Sequence, residues 1–176
     1  VNAFKREVSP VLVLLYAAAQ GVMLGGISNI YNAYAQGNGW DGIVVQAVVA
    51  TMVTFGVMLA LYGTGVVKVT KKFASILIVA AISYLVIGVI SVVSSLFGVG
   101  NGMGIYGMGD FGILVAIVGV LIASFFLMLD FEAVKQGIAS GAPERESWRM
   151  AFGLLVTLIW IYLEFLRLLA LLSGRN

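Results

Sequence analysis

Two apolar runs near the end of the chain decide its fold: FGILVAIVGVLIASFFLMLD at residues 111–130 and AFGLLVTLIWIYLEFLRLLALL at residues 151–172. Each run has about the 20 apolar residues that a helix needs to cross a bilayer. Each also contains an acidic residue, Asp130 at the end of the first run and Glu164 inside the second. A charge at bilayer depth costs roughly 3 kcal/mol or more, so such residues usually face a protein interior or an ion pathway. These two acids are therefore the first candidates for function.

The rest of the chain has the same apolar character. Hydrophobic residues make up 61% of the 176 residues and charged residues only 10%, whereas soluble domains have roughly 45–50% and 25%. We therefore predict an all-α integral membrane protein, a polytopic helical bundle that forms one transmembrane domain over residues 1–176. Its five predicted transmembrane helices lie at about residues 10–34, 43–63, 74–97, 111–131 and 150–172.

The basic residues indicate how the chain is oriented in the membrane. When the connections are assigned alternately to the two sides, eight of the ten basic residues fall on one side: Lys5, Arg6, Lys68, Lys71, Lys72, Lys135, Arg145 and Arg149. Arg175 falls on the other side, and Arg167 lies within the last span. Because basic connections stay in the cytoplasm, Val1 is predicted to be cytoplasmic. The bases flank membrane spans and form no continuous patch, so we expect a lipid bilayer and no nucleic acid as partner.

The residue types that are absent exclude several kinds of chemistry. The chain has no cysteine and no histidine, so it offers no thiolate nucleophile, no imidazole base and no Cys/His zinc site. The HExxH and GxSxG motifs are also absent. We therefore expect no enzymatic activity and no resident cofactor. Any response to pH must come from carboxylates.

Small residues predict two seams where helices pack closely in lipid. The first seam is Ala17, Gly21 and Gly25 in the first span, and the second is Gly112, Ala116, Gly119 and Ala123 in the fourth span.

Two further features stand out between and within the spans. Gln20 lies in the middle of the first span, where its amide must find an internal partner, either as a contact between helices or as the lining of a pathway. The segment GVGNGMGIYGMG at residues 98–109 has six glycines and no charge, and this composition predicts a flexible connection.

The spacing between the two acids leaves their relation open. Residues of two antiparallel helices are level when their numbers sum to twice the midpoint of the turn. A midpoint at 147 puts Asp130 and Glu164 level, whereas a midpoint at 144 leaves Glu164 six residues higher, or about 9 Å. A close pair would share one proton, and its loss would leave an anionic oxygen cluster that favours a hard cation such as calcium. Alternatively, Arg167 neutralises Glu164 through an i, i+3 salt bridge within its own helix.

The segment LMLDFEAVKQGIASGAPERESWRMAFGLLVTLIWIYLEFLRLLALLSG at residues 127–174 resembles the transmembrane Bax inhibitor motif family, especially its actinobacterial branch. The resemblance covers all five spans, although the last two are its most specific part. It implies a seven-helix bundle with the last helix at the centre, in which this chain supplies the third to seventh helices and lacks the first two. It also implies a multi-pass protein of a bacterial plasma membrane.

The resemblance further implies a pH-sensitive, calcium-permeable leak channel gated by two acids in the last two helices. The family's acid after the apolar run matches Asp130, and the acid of its Leu-Tyr-Leu-Asp-type motif matches Glu164 in IYLEF, with Glu in place of Asp. Asp130 and Glu164 are thus the expected pH gate and the expected ligands of calcium, with Arg167 and Gln20 as modulators. The alternative is a non-conducting regulator that binds other membrane proteins, such as a membrane protease.

Overall fold

The computed structural model describes residues 9–102 and 104–175 of the chain. The described residues form no strand and five long helices: α1 Pro10–Gly37, α2 Ile43–Gly63, α3 Lys71–Leu96, α4 Asp110–Ala139 and α5 Arg145–Ser173. Two short 3₁₀ helices, Val99–Gly102 and Gly104–Gly107, connect α3 to α4. All five α-helices are long and apolar enough to cross a membrane. This confirms the predicted fold class, a polytopic helical membrane protein.

The connection between α4 and α5 is short, and a glycine just after α4 ends that helix. Gly141 adopts a φ of 64°, a backbone conformation that glycine reaches without steric cost. The N–H of Ala142 donates to the carbonyl oxygen of Gly137 at 3.0 Å, which closes the last turn of α4. α4 therefore continues to Ala139, about two turns beyond the predicted end of the apolar span, and α5 follows as its antiparallel neighbour.

α5 is the helix on which the others assemble. It contacts α1, α2 and α4, and α3 reaches it through Tyr84, whose ring centroid lies 6.2 Å from that of Trp160. An apolar cluster fills the space between α2, α4 and α5, with buried members Met58, Ala123, Leu127, Met128, Phe131 and Ile161. The last helix thus lies inside the bundle formed by the described helices.

Of the two predicted small-residue seams, one is buried in the structure and the other is mostly exposed. The seam on α4 is buried as expected, at Gly112, Ala116, Gly119 and Ala123. The seam on α1 is not packed by the described residues, because Gly21 and Gly25 are exposed and a Cβ at either position would meet nothing within 4 Å. The prediction for α1 is therefore wrong within the described structure. α1 instead turns another face toward the bundle, with Val13, Ser28 and Ala35 buried.

The glycine-rich connection, which was predicted to be flexible, packs closely against the helices. We call residues 98–109 the glycine strap. A Cβ at Gly104 would overlap the carbonyl oxygen of Ser91 on α3, and a Cβ at Gly107 would overlap the carbonyl oxygen of Gly100. Because only glycine allows such close backbone approach, the described residues of the strap pack firmly at one end of the bundle. We call this end the strap end, and the opposite end, which carries the α4–α5 connection, the basic end.

Candidate functional site

The register of the α4–α5 hairpin places the two acids at different depths. A Cβ at Gly153 of α5 would lie 3.4 Å from Oδ1 of Asp130, and a Cβ at Gly119 of α4 would lie 2.7 Å from Oε2 of Glu164. Both contacts correspond to the same turn midpoint, between residues 141 and 142. Glu164 lies eleven residues beyond Gly153 on α5, which is about 16 Å along the helix.

The structure therefore does not bring Asp130 and Glu164 together. The turn lies earlier in the chain than either midpoint considered from the sequence, because Gly141 ends α4 and α5 already begins at Arg145. Of the two relations that the sequence leaves open, the i, i+3 salt bridge between Glu164 and Arg167 is the one that forms. The roles of the two acids in gating and in calcium binding stay predictions.

Glu164 is only 2% exposed, and donors from two helices hold its carboxylate. Nη1 of Arg167 donates to Oε2 at 3.0 Å and to Oε1 at 3.3 Å. The hydroxyl of Tyr84 on α3 donates to Oε2 at 2.7 Å, and Nε1 of Trp160 donates to Oε1 at 3.0 Å. Both oxygens are therefore hydrogen-bonded and the charge is balanced, as a buried carboxylate requires.

Gly119 of α4 makes room for this network. A Cβ at this position would overlap the Tyr84 hydroxyl as well as approach Glu164. Beside the network lies a cavity of about 720 Å³, whose walls are mainly apolar side chains of α3. Tyr84, Glu164 and Arg167 also line the cavity. The network thus forms the polar floor of an otherwise apolar cavity between α3 and α5.

The glycine strap covers Arg167 from the strap end of the bundle. The guanidinium carbon lies 4.2 Å from the ring centroid of Tyr106, which is a close cation–π contact. Nη1 of Arg167 also donates to the hydroxyl of Tyr84 at 3.1 Å, and the side chain of Tyr106 lies beside that of Tyr84. Arg167, the expected modulator, therefore contacts the acid and both tyrosines.

Asp130 lies nearer the basic end of the same α4–α5 interface. Its Oδ2 is buried and makes no hydrogen bond, and the side chain of Thr157 lies beside the carboxyl group. Between the levels of the two acids lie Leu127, Ala123 and Ile161, each fully buried. The acids are thus separated by a mainly apolar block, which also contains the buried hydroxyls of Ser124 and Thr157. Within the described ranges, no group of three or more acidic residues is placed to hold a metal ion.

Gln20, the other expected modulator, makes its hydrogen bond within its own helix. Its Nε2 donates to the hydroxyl of Tyr16 at 2.7 Å within α1. The ring of Tyr16 packs edge-on against Phe152 of α5, with centroids 4.9 Å apart. The amide therefore has a partner in its own helix, and Tyr16 makes the contact with the neighbouring helix.

Sequence reasoning missed the aromatic members of the site. Tyr84 could have been identified from the sequence, because a hydroxyl in the middle of an apolar span must find a polar partner. Trp160 precedes Glu164 by four residues and is therefore its neighbour on one helix face. Tyr106 carries no such signal, because the composition of the strap does not reveal which helix it covers.

Similarity to known proteins is found at the level of the family. No curated protein and no solved structure matches the chain. The sequence profile of the family described as Bax inhibitor 1 like matches residues 1–174, which include all five helices and the strap. The chain therefore belongs to the Bax inhibitor 1 like family.

Proposed function

We propose that this protein is a proton-regulated, calcium-permeable leak in which Asp130 and Glu164 act at separate depths of one pathway and Arg167 keeps it closed. One observation carries the proposal: both acids are placed at the same helix interface, one ion-paired and the other with a buried oxygen that lacks a hydrogen bond. Buried acids are costly in a membrane protein, and they commonly mark ion or proton pathways.

The conformation described here corresponds to a closed leak. Arg167, Tyr84 and Trp160 occupy both oxygens of Glu164, so this carboxylate cannot coordinate a passing cation. Between the two acids, Leu127, Ala123 and Ile161 are fully buried and carry no side-chain oxygen, whereas calcium prefers carboxylates and carbonyl groups. Opening would require Arg167 to leave Glu164 and the apolar side chains to separate.

Asp130 is the better proton sensor of the two acids. Arg167 neutralises Glu164, whereas no donor reaches Oδ2 of Asp130. When Asp130 is protonated it is neutral and does not attract a cation, and when it is ionised it is an anionic ligand. Calcium flux should therefore fall as the pH falls.

The test is calcium flux into proteoliposomes across acidic to mildly alkaline pH. We expect the wild-type flux to fall at acidic pH, Asp130→Asn to leak little at any pH, and Arg167→Gln to leak more at every pH. Asp41→Asn and Glu144→Gln are the matched controls, since both acids are exposed. Wild-type rates and wild-type pH dependence in both Asp130→Asn and Arg167→Gln would refute the proposal.

The alternative is a non-conducting regulator that binds other membrane proteins, such as a membrane protease. It is favoured by the exposed small residues Gly21 and Gly25 of α1, because such a face allows close approach of another helix in lipid. Purified protein that conducts at no pH, and that loses a co-purifying membrane protein on Gly21→Leu substitution, would favour this alternative over the leak.

A further inference from the structure

We infer that Tyr106 positions Arg167 on Glu164, so that the glycine strap sets how readily the leak opens. The inference rests on the proposed function and extends it to a residue outside the last two helices. It is based on the placement of Tyr106: its ring lies 4.2 Å from the guanidinium carbon of Arg167, and its side chain lies beside that of Tyr84.

Arg167 needs such support because its hold on Glu164 depends on one nitrogen. The hydrogen bonds to both oxygens of Glu164 and to the hydroxyl of Tyr84 all come from Nη1. The Arg167 side chain is also more exposed than its partner, at 23% against 3% for Glu164. A planar guanidinium held at one nitrogen can rotate about that contact, and a ring stacked on its face restricts the rotation.

The strap keeps Tyr106 in place through its backbone. Gly104 lies against the carbonyl oxygen of Ser91, and the carbonyl oxygen of Tyr106 itself lies against Gly112 at the start of α4. At Gly88 of α3, a Cβ would be 3.8 Å from the Tyr106 hydroxyl. The backbone at Tyr106 is therefore held against α3 and α4, and this placement keeps the ring beside Arg167.

None of the other titratable groups described around the ion pair stacks on Arg167 as Tyr106 does. Tyr84 faces the pair from α3 and Tyr31 faces Arg167 from α1. α4 presents Gly119 at this level, and the sole titratable residue of α2, Tyr62, lies at its opposite end. Arg167 thus supplies the positive charge that balances Glu164, and Tyr106 supplies the stacked ring that orients it.

The first test compares Tyr106→Leu with Tyr106→Phe in the calcium flux assay. Leucine removes the ring and the hydroxyl, so flux at acidic pH should rise about tenfold, as expected for loss of a desolvated cation–π contact. Phenylalanine keeps the ring and should restore most of the closure. Tyr34→Leu is the control, since Tyr34 lies at the same end on α1, outside this network. Equal pH profiles for Tyr106→Leu and wild type would overturn the inference.

A second readout does not depend on conduction. Trp160 donates to Glu164, so its fluorescence emission reports on this carboxylate once Trp40 and Trp148 are replaced by phenylalanine. Tyr106→Leu should shift the emission, and Tyr106→Phe should leave it near that of the parent. A shifted emission in protein without flux would refute the proposed function and support the positioning role. Unshifted emission in a conducting protein would overturn the positioning role alone.

A second variant, in the glycine strap, tests the inference independently in case Tyr106→Leu does not fold. Gly104→Ala must lift the strap away from Ser91 and should reproduce the effects of Tyr106→Leu on both readouts. Gly65→Ala introduces a side chain at a comparable φ of 71° in open space at the basic end, so it should change neither readout. A Gly104→Ala protein that matches Gly65→Ala in flux and emission would also overturn the inference.

Discussion

Glu164 shows how burial and ion pairing act against each other. Moving a carboxylate and a guanidinium out of water costs several kcal/mol each, and their attraction offsets this only when the geometry is good and the remaining polar atoms are satisfied. Here Tyr84 and Trp160 supply the additional donors. We therefore expect the pair to be tolerated as a unit and to be damaging when only one partner is removed.

Glu164→Gln should accordingly be strongly destabilising. It leaves Arg167 with an uncompensated charge in the bundle, which typically costs about 3–5 kcal/mol. The measurement is the midpoint of thermal unfolding in detergent. The double variant with Arg167→Gln should recover most of the loss, because no charge is then left unpaired. Strictly additive losses in the double variant would contradict this account.

Gly119→Ala should weaken the bundle even though alanine is the better helix former. The helix preference favours alanine by about 1 kcal/mol, but the added Cβ would overlap the Tyr84 hydroxyl. Overpacking of this kind typically costs about 1–3 kcal/mol, and the Tyr84–Glu164 hydrogen bond should be lost as well. Gly21→Ala is the matched control in open space and should be neutral or stabilising. Equal thermal stability of the two variants would argue against a steric role for Gly119.

At the residue scale, the sequence predicted the charged members of the site and not their aromatic partners. A buried charge is visible because it is expensive in an apolar run, so Glu164 and Arg167 could be found. The contact with Tyr84 depends on how α3 packs on α5, and local periodicity carries no such information. Gln20 was singled out by the same reasoning, and its partner Tyr16 proved to be one turn away on its own helix.

At the scale of the elements, the register of the α4–α5 hairpin decides which residues meet. Apolar runs predict where helices cross the membrane, whereas the helices themselves continue into polar sequence. α4 extends to Ala139 and α5 begins at Arg145, although the predicted spans ended at about 131 and began at about 150. The midpoint of the turn therefore lies nearer Gly141 than either midpoint considered from the sequence. As a result, the two acids lie at different depths. Hydrophobicity therefore predicts five helices that can span a membrane, whereas the register depends on turn geometry, which the sequence left open between two midpoints.

Gly141→Ala should destabilise this hairpin. The residue adopts a φ of 64° just after the end of α4, where a Cβ adds strain of about 1 kcal/mol. Asparagine tolerates this conformation better, so Gly141→Asn should be milder. The measurement is the midpoint of thermal unfolding in detergent. We expect it to decrease from wild type to Gly141→Asn and further to Gly141→Ala. An alanine variant as stable as wild type would show that the turn can adopt another backbone conformation.

At the scale of the whole molecule, the bundle has two chemically different ends. The connections after α2 and after α4 lie at the basic end, whereas the connection after α1 and the glycine strap lie at the strap end. The distribution of basic residues predicts that the basic end faces the cytoplasm. The helices define the two ends, and their assignment to the two sides of the membrane rests on charge alone.

Cysteine labelling can test this orientation directly, because the chain has no cysteine of its own. We expect Asn38→Cys, between α1 and α2, to react with a membrane-impermeant maleimide in intact cells. Thr64→Cys, between α2 and α3, should react only after the membrane is permeabilised, because the two positions lie at opposite ends of α2. The reverse pattern would invert the orientation, and labelling of both in intact cells would contradict a membrane-spanning α2.

The depth difference of about 16 Å between the two acids has a consequence for how the protein responds to acid. Carboxyl groups that are far apart bind protons independently, whereas a strongly interacting dyad releases its protons in two macroscopic steps that belong to both groups. A titration curve of transport should therefore follow a single ionisation, with a Hill coefficient of about one. A variant in which the two acids were level would instead titrate as a coupled pair, so the register of the last two helices sets the kind of acid sensitivity.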